Sequence, residues 1–542
     1  MPFCRVAALL ICLALPAAAQ QPADLVLTRG RVFTGDSTRP WVEAIAIQGE
    51  RIRAVGSTAD IEKLAGPGTR RIDLAGRTVI PGLNDAHIHV GLGWPGESVS
   101  TGPSPFPDPD RRLVADSLGA AMKRVPPGTW LTVQVGAAIL DDSLARRAWL
   151  DSVAPGHPVR LQGWSGHGAV FNSRALATLN FPESTRDPLG GWFERDRRGR
   201  LTGLAHEYAQ YSPAPSVRTR ESPAAEMAII RAALTEAAGF GLTTVQNMEA
   251  TIPEVTARVF AAEDLPVRVR IISFIHTSPG ARNLAGMPPA RNVRIGPLAY
   301  ATGVKYILDG TPVERMALMR QPYSDRTGWF GHLNFPVDTI RAILREGLRT
   351  HTPMTLHIVG DSTAAIVLGL MTQMAPDSVW RQERLRFEHG DGLAPDLLPL
   401  TRRLGIIISQ NPSHLMVVPV LHQRFGASRT RSFQPLKSLL AAGIPLALGS
   451  DGPVNPFLNI MFAVAYPSNP GEALTVEQAV RAYTWGAAFA EFRENEKGTL
   501  APGMLADLAV LSQDIFSVPV QALPGTTSVL TMVGGRVVHE AR

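Results

Sequence analysis

The chain has 542 residues, 45% of them hydrophobic and 18% charged, with a formal net charge of +6. This is the composition of a globular enzyme, long enough for a large core and a second, smaller domain. The arginines are scattered and form no Lys/Arg block, which excludes a nucleic-acid groove, and beyond the N-terminus no stretch is apolar and long enough to span a membrane.

Residues 1–19 read as a signal peptide. Arg5 supplies a positive n-region, Val6 to Leu15 an apolar h-region too short to cross a bilayer, and Ala17-Ala18-Ala19 a small-residue cleavage site before Gln20. The expectation is export to the periplasm or beyond the cell. Both cysteines, Cys4 and Cys12, fall in this segment. The mature chain would therefore hold no disulfide, no thiolate ligand and no thiol nucleophile. A lipid anchor at Cys12 is the minor alternative, disfavoured by bulky Ile11 and by the apolar run that continues past it.

Residues 20–80 carry short strands rich in β-branched residues around glycine turns, in ADLVLTRGRVFTG, WVEAIAIQGERIRAVG and RRIDLAGRTVIPG. Residues 491–542 repeat the style in ADLAVLSQD and TSVLTMVGGRVVHE. The two ends are expected to join into one small, discontinuous β-sandwich, with residues 81–490 as a catalytic domain between its halves.

Thr78 to Val90, TVIPGLNDAHIHV, places His87 and His89 one residue apart after an apolar run that Pro81-Gly82 bends or interrupts. In an extended strand residues i and i+2 share a face, so both imidazoles aim at one spot, as two metal ligands must. Downstream, strand-like runs alternate with helical ones. The strand candidates are TVIPGLNDAHIHV, WLTVQVG, TTVQNM, VRVRIISFI, YATGVKYILDG, MTLHIVG, RLRFEHG, GIIISQNP and IPLALGSDG; AAEMAIIRAALTEAAG and VDTIRAILREGLRT are helical. This alternation predicts an α/β fold, most simply a (β/α)8 TIM-like barrel with insertions. Residues 94–110 and 181–222, rich in Pro, Gly and Arg, read as loops or insertions near the site. No internal repeat is present.

Polar residues recur where these strands end: Lys305 in GVKYILDG with Asp309 behind it, His357 in TLHIVGD, His389 in RFEHGD and Asp451 in LALGSDGP. The carboxyl ends of barrel strands face one mouth, so these groups and the His87/His89 pair would share one volume. Singly, each has a structural or solvated alternative.

Together these motifs resemble the amidohydrolase superfamily, in the YtcJ-like branch that includes N-substituted formamide deformylases. PGLNDAHIH resembles the family's Pro-Gly-x-x-Asp-x-His-x-His, GVKYILDG its lysine strand, LHIVGD and RFEHG its later histidine strands, and GSDGP its aspartate turn. GHGAVFNSRAL, GLTTVQN, SQNPSH and GTLAPGMLADLAVL support the match, which runs from Asp24 to Val538. IVGDST after His357, and Gly390 after His389, depart from the branch pattern beside the ligands.

The resemblance implies a hydrolase of non-peptide C–N bonds using one or two divalent metal ions, with zinc the first choice and Mn²⁺, Fe²⁺ or Co²⁺ also compatible with imidazole and carboxylate donors. His87 and His89 would hold one ion, His357 and His389 a second, and Lys305, carboxylated on its amine, would bridge them. Uncarboxylated Lys305 paired with a carboxylate such as Asp309, at a mononuclear site, is the alternative. Asp451 would contact metal and shuttle the proton from metal-activated hydroxide to the leaving nitrogen. His414 and His167 would polarise the carbonyl or grip substrate, or else be structural. His157, His206, His276, His332, His351, His422 and His539 carry no assignment. The partner is a small molecule; self-association is left open. The same site would also suit an ester, lactone or dipeptide bond. A non-catalytic secreted binding protein on the same fold is the reading from another class.

Overall fold

The computed structural model describes residues 21–91, 93–102, 108–212, 223–249, 260–261, 264–287 and 291–541. The expected signal segment and both cysteines lie outside these residues.

Eight parallel strands form the core: β1 (Leu83–Ile88), β2 (Leu242–Glu249), β3 (Arg268–Phe274), β4 (Ala299–Ile307), β5 (Met354–Ile358), β6 (Arg386–His389), β7 (Ile407–Gln410) and β8 (Leu446–Leu448). Each pairs with the next in chain order. Beyond β8 the chain returns to β1, where Asp451 N donates to His87 O at 2.9 Å and Ser450 N to Asp85 Oδ1 at 3.0 Å. These bonds bring the last strand to the first at the carboxyl end of a nearly closed barrel. Gly449 makes the approach possible, because a Cβ there would collide with the His87 backbone nitrogen.

The strands and helices follow the local chemistry. β5, β6 and β7 are buried at every position, as expected of a parallel sheet covered on both faces. Of the covering helices, α1 (Pro223–Gly239) precedes β2 and α2 (Val337–Thr350) precedes β5, closely matching the expected helical runs. α2 buries Ile340, Ile343, Leu344 and Gly347, spaced to line one helical face. It stops at His351, which is left-handed at φ 53°. Gly347 lets Met354 of β5 lie against that face, since a side chain there would meet the Met354 thioether. Each buried Ile or Leu contributes about 1.5–3 kcal/mol, so a charge at Leu344 would detach this helix from the barrel.

The N-terminal segment enters two further sheets, and the C-terminal segment joins the second of them. One contains Ala23–Thr28, Ala44–Gln48, Arg51–Gly56 and Ala65–Asp73. The other joins Arg31–Phe33, Trp41–Val42 and Thr78–Pro81 to Leu508–Leu511, Ser528–Val533 and Arg536–Glu540. The seam between N- and C-terminal segments is antiparallel, with Ala509 opposite Ile80, and Leu27, Ile45, Val79, Leu508 and Met532 share one apolar core. TVIPGLNDAHIHV is thus two strands: its first half belongs to this sandwich and its second to the barrel. Gly82 sits at the break, where any side chain would overlap Thr243.

One expected barrel strand lies elsewhere. WLTVQVG supplies Leu131–Val135 to a separate mixed sheet inserted between β1 and β2, built from Glu97–Val99, Leu131–Val135, Val159–Gly163, Gly168–Phe171, Gly191–Arg195 and Leu201–Glu207. It has its own core of Val114, Leu118, Val133 and Leu161. The physical reason lies in the burial pattern. Thr132 and Gln134, more exposed, alternate with buried Leu131, Val133 and Val135, the pattern of a sheet with one face on a core, whereas β5, β6 and β7 are buried at every position. Region 181–222, read as loop or insertion, carries the last two strands of this sheet and a short helix at Tyr208–Tyr211. Among the described residues no helix is long and apolar enough to cross a membrane.

Candidate metal centre

The carboxyl ends of the barrel strands and the turns after them carry the polar groups expected there. His87 comes from β1 and is buried; His89 lies just past the strand and is half exposed. Their rings are 5.4 Å apart, centroid to centroid. Asp451, in the turn after β8, links them: its Oδ1 lies 3.5 Å from His87 Nε2 and 3.2 Å from His89 Nε2. His389 ends β6, and its ring is 4.9 Å from that of His87. Ligand atoms of His87, His389 and Asp451 all fall within 4.8 Å of one another. His357, from β5, packs edge-on against His389 at 4.4 Å. Lys305, from β4, is buried with Nζ 3.4 Å from His87 Nε2.

The backbone is bent to achieve this. His389 and Asp451 both have positive φ, 69° and 40°, uncommon for residues with side chains. For His389 that conformation turns the ring away from the direction set by strand alternation. Such conformations concentrate at functional sites.

The buried imidazoles are held neutral and Asp451 charged. Burial, reinforced by Lys305, lowers His87 to about 4, and burial holds His357 and His389 well below the usual histidine range. Burial also lowers Lys305 to about 8, against the opposing pull of Glu388 and Asp451. Burial alone would raise Asp451, yet His87, His414 and His89 keep its carboxyl well below the ordinary range. Two ring orientations are fixed from behind. Glu388 Oε2 accepts from His87 Nδ1 at 2.7 Å, leaving Nε2 toward the mouth, and Asn411 Oδ1 lies 2.9 Å from His389 Nδ1. His357 Nε2 is buried and has no hydrogen-bond partner among the described residues. An unmatched imidazole nitrogen beside three converging oxygen and nitrogen donors fits a divalent cation with imidazole and carboxylate ligands.

Sequence reasoning missed the supporting groups. Glu388, fully buried, is gripped by Arg386 Nε, and Arg386 in turn donates to Gln246 Oε1 at 2.7 Å and Ala86 O at 3.0 Å. Arg386 and Glu388 are two apart on a strand flanked by Leu385 and Phe387, so opposite charges on one inward face were the available signal. Asp391 was also missed. Its Oδ2 lies 3.6 Å from His414 Nδ1, while His414 Nε2 lies 3.4 Å from Asp451 Oδ2. Burial opposes charging of His414, but bonds to Asp391 and Asp451 outweigh it and raise the ring to about 10.

His167 enters from the inserted sheet. Its Nδ1 meets Glu207 Oε2 at 2.8 Å, and its ring lies 4.5 Å from that of His357. Glu207, at positive φ, also accepts from Asn334 Nδ2 at 3.1 Å. Asp309 takes another role than partner to Lys305. Its carboxylate accepts from Leu318 N, Val359 N, Gly360 N and Thr363 Oγ1 at 2.8–3.1 Å, tying the loop after β4 to the turn after β5.

His87, His89, Lys305, His357, His389, His414, His167 and Asp451 all border one cavity of about 720 Å³. Val417, Leu421 and Phe433 give it an apolar wall. This size suits a small organic molecule.

Residues 70–539 match the amidohydrolase family. The chain is 29% identical to Protein LONG AFTER FAR-RED 3 of Arabidopsis thaliana, across 95% of this chain and 92% of that protein. It is 25% identical to the N-substituted formamide deformylase of Arthrobacter pascens, across 91% and 94% respectively. Among solved structures it is similar to an uncharacterized metal-dependent hydrolase from Pyrococcus horikoshii OT3, with a TM-score of 0.70 and 19% identity over 92% of this chain and 99% of that one.

Proposed function

The chain belongs to the amidohydrolase family, and from that premise we propose that it is a metal-dependent hydrolase cleaving a non-peptide carbon–nitrogen bond of a small molecule. One observation carries this reading: ligand atoms of His87, His389 and Asp451 converge within 4.8 Å at the wall of a cavity large enough for substrate. His89 and His357 extend the donor set. Zinc is the ion of choice for neutral imidazoles and a carboxylate without thiolate. Bound there, a divalent cation supplies an acidified water and polarises the carbonyl.

The chain's own groups perform the remaining work. Asp451, kept ionised, takes a proton from the attacking water and returns it to the leaving nitrogen, so that an amine departs rather than an amide anion. His414, protonated and held between Asp391 and Asp451 Oδ2, steadies the Asp451 carboxylate and sets a positive charge at the cavity wall, where negative charge develops on the carbonyl oxygen. His167, oriented by Glu207, grips substrate from the opposite side. Lys305, buried and easier to deprotonate than an ordinary lysine, is suited to react as a free amine with carbon dioxide, giving an anionic carbamate with loss of a proton. The name of the Arthrobacter relative, a formamide deformylase, supports carbon–nitrogen cleavage over ester cleavage.

The test is a panel of matched amides and esters on one scaffold, assayed with and without chelator. The reading expects amide turnover that chelation abolishes and zinc restores; turnover insensitive to chelation would refute it. We also propose export after cleavage at Ala19, so the mature N-terminus would be Gln20.

A further inference from the structure

Four charged side chains form a closed ring beside the cavity. Arg424, on the helix Val418–Thr430, donates to Asp141 Oδ2 at 2.8 Å and to Asp325 Oδ2 at 2.7 Å. Arg315 reaches the same two carboxylates, Asp141 Oδ1 at 2.7 Å and Asp325 Oδ2 at 2.8 Å. The Arg424 side chain is only 2% exposed. An ion pair withdrawn that far from water gains little over apolar packing of equal volume, so stability alone gives no reason for the ring. Its other contacts give one. Arg424 Nε donates to Pro312 O at 3.1 Å and Nη2 to Val313 O at 2.8 Å, and both residues border the cavity. Leu421, on the same helix as Arg424, borders it too. Val313 and Val420 pack in one apolar cluster with Ala137, from the short helix Ala137–Leu140 that precedes Asp141, and with cavity-lining Trp164. The strap Thr311–Val313 has a second anchor: Glu314 accepts from Thr311 Oγ1 and from Ser165 Oγ, two more groups of the cavity wall. One arginine therefore ties the helix, the loop after β4 and the segment inserted between β1 and β2 to each other at that wall.

We propose that Arg424 is a specificity-determining positioning residue. Through the ring it holds Pro312–Val313 in against the helix that carries Leu421, and so sets the largest substrate the cavity admits. It touches no reacting atom. Freed from Arg424, the strap keeps its Glu314 anchor and moves outward at Pro312–Val313, widening the cavity without disturbing the metal ligands. The inference rests on the hydrolase reading for turnover, whereas admission to the cavity is measurable without it.

Two measurements separate the claims. The first is the ratio of kcat/KM for a bulky amide to that for a small one with the same scissile group, in the zinc-loaded enzyme. The second needs no catalysis. The chain has no cysteine after Cys12, so Met416→Cys places one thiol on the cavity wall. The ratio of its labelling rates with a bulky and a small maleimide, located by peptide mass mapping, reports admission. Arg424→Met keeps the apolar stem and removes the fork. It should raise both ratios roughly tenfold, the lower end of what an apolar wall discriminates, with kcat for the small amide unchanged within about threefold. Arg424→Lys keeps the charge but cannot serve four acceptors at once, and should fall between. If Arg424→Met does not fold, Asp325→Ala decides: it opens the ring at a partly exposed carboxylate and should raise both ratios, and values equal to wild type overturn the proposal. Ratios unchanged or lowered in a folded Arg424→Met also overturn it. A raised labelling ratio in a protein that turns over no amide would uphold the role of Arg424 and remove the hydrolase.

Discussion

Replacing Glu388 by glutamine tests how the barrel prepares its first histidine. Glu388 serves two donors at once, His87 Nδ1 at 2.7 Å and Arg386 Nε, inside a core that water does not reach. A carboxylate accepts from both; an amide has one acceptor and must turn its NH₂ toward the other donor. If the NH₂ faces His87, the ring moves its proton to Nε2 and can no longer ligate through it. If it faces Arg386, a buried guanidinium donor is left opposing another donor. Loss of one charge-assisted hydrogen bond costs about 1.5–3 kcal/mol. Loss of a group that orients a ligand typically weakens metal affinity about 10–100-fold, which is about 1.4–2.7 kcal/mol. The two figures agree, so Glu388→Gln should bind zinc about 10–100-fold more weakly than wild type in a competition with a fluorescent chelator at fixed pH. Thermal unfolding of the metal-free proteins reports folding separately. A folded Glu388→Gln variant with wild-type zinc affinity would refute the argument and leave Glu388 as a packing group.

Asp451→Asn keeps the side-chain shape but removes the proton acceptor, so kcat should fall by about 10²–10⁴; a rate within threefold of wild type, measured on any turned-over amide, would remove Asp451 from that role. Asp309→Ala strands four donors, three of them buried, and should cost on the order of 3 kcal/mol in urea unfolding, with zinc stoichiometry retained in the folded fraction. Glu491, fully buried, is held below its ordinary range: burial opposes ionisation, but Lys497 at 2.7 Å, Arg270 and Tyr300 outweigh it. A depressed folded value means its stabilisation is complete above the unfolded value of about 4.3 and is lost as pH falls through the folded value. Glu491→Gln should therefore cost about 3–5 kcal/mol near neutrality and flatten the stability–pH curve below about pH 4.5; an acid slope equal to wild type, by denaturant titration, would contradict this.

The parts of this architecture legible in the sequence are those that depend on local rules. His87 and His89 two apart, and Lys305, His357, His389 and Asp451 at or just beyond strand ends, follow from alternation and from the geometry of parallel barrels. The helix Val337–Thr350 follows from its periodic apolar face. What escaped depends on distant partners. Nothing local says that Ile80 pairs with Ala509, although similar β-rich ends made that join expected. The strand Leu131–Val135 alternates buried and more exposed positions, whereas barrel strands such as Met354–Ile358 and Arg386–His389 are buried at every position, and that difference is not visible until the fold is known. Glu388 and Glu207 acquire meaning only from His87 and His167, which lie hundreds and tens of positions away. Asp309, close to Lys305 in the chain, is claimed instead by backbone amides from the next strand's turn.

The central claim is that side chains from across the barrel hold a divalent cation. Equilibrium dialysis against zinc, followed by elemental analysis, tests it directly in wild type and in His389→Ala. The account predicts at least one tightly held ion per wild-type chain and a marked loss in His389→Ala. Protein that retains no metal, or a His389→Ala variant that retains as much as wild type, would contradict it.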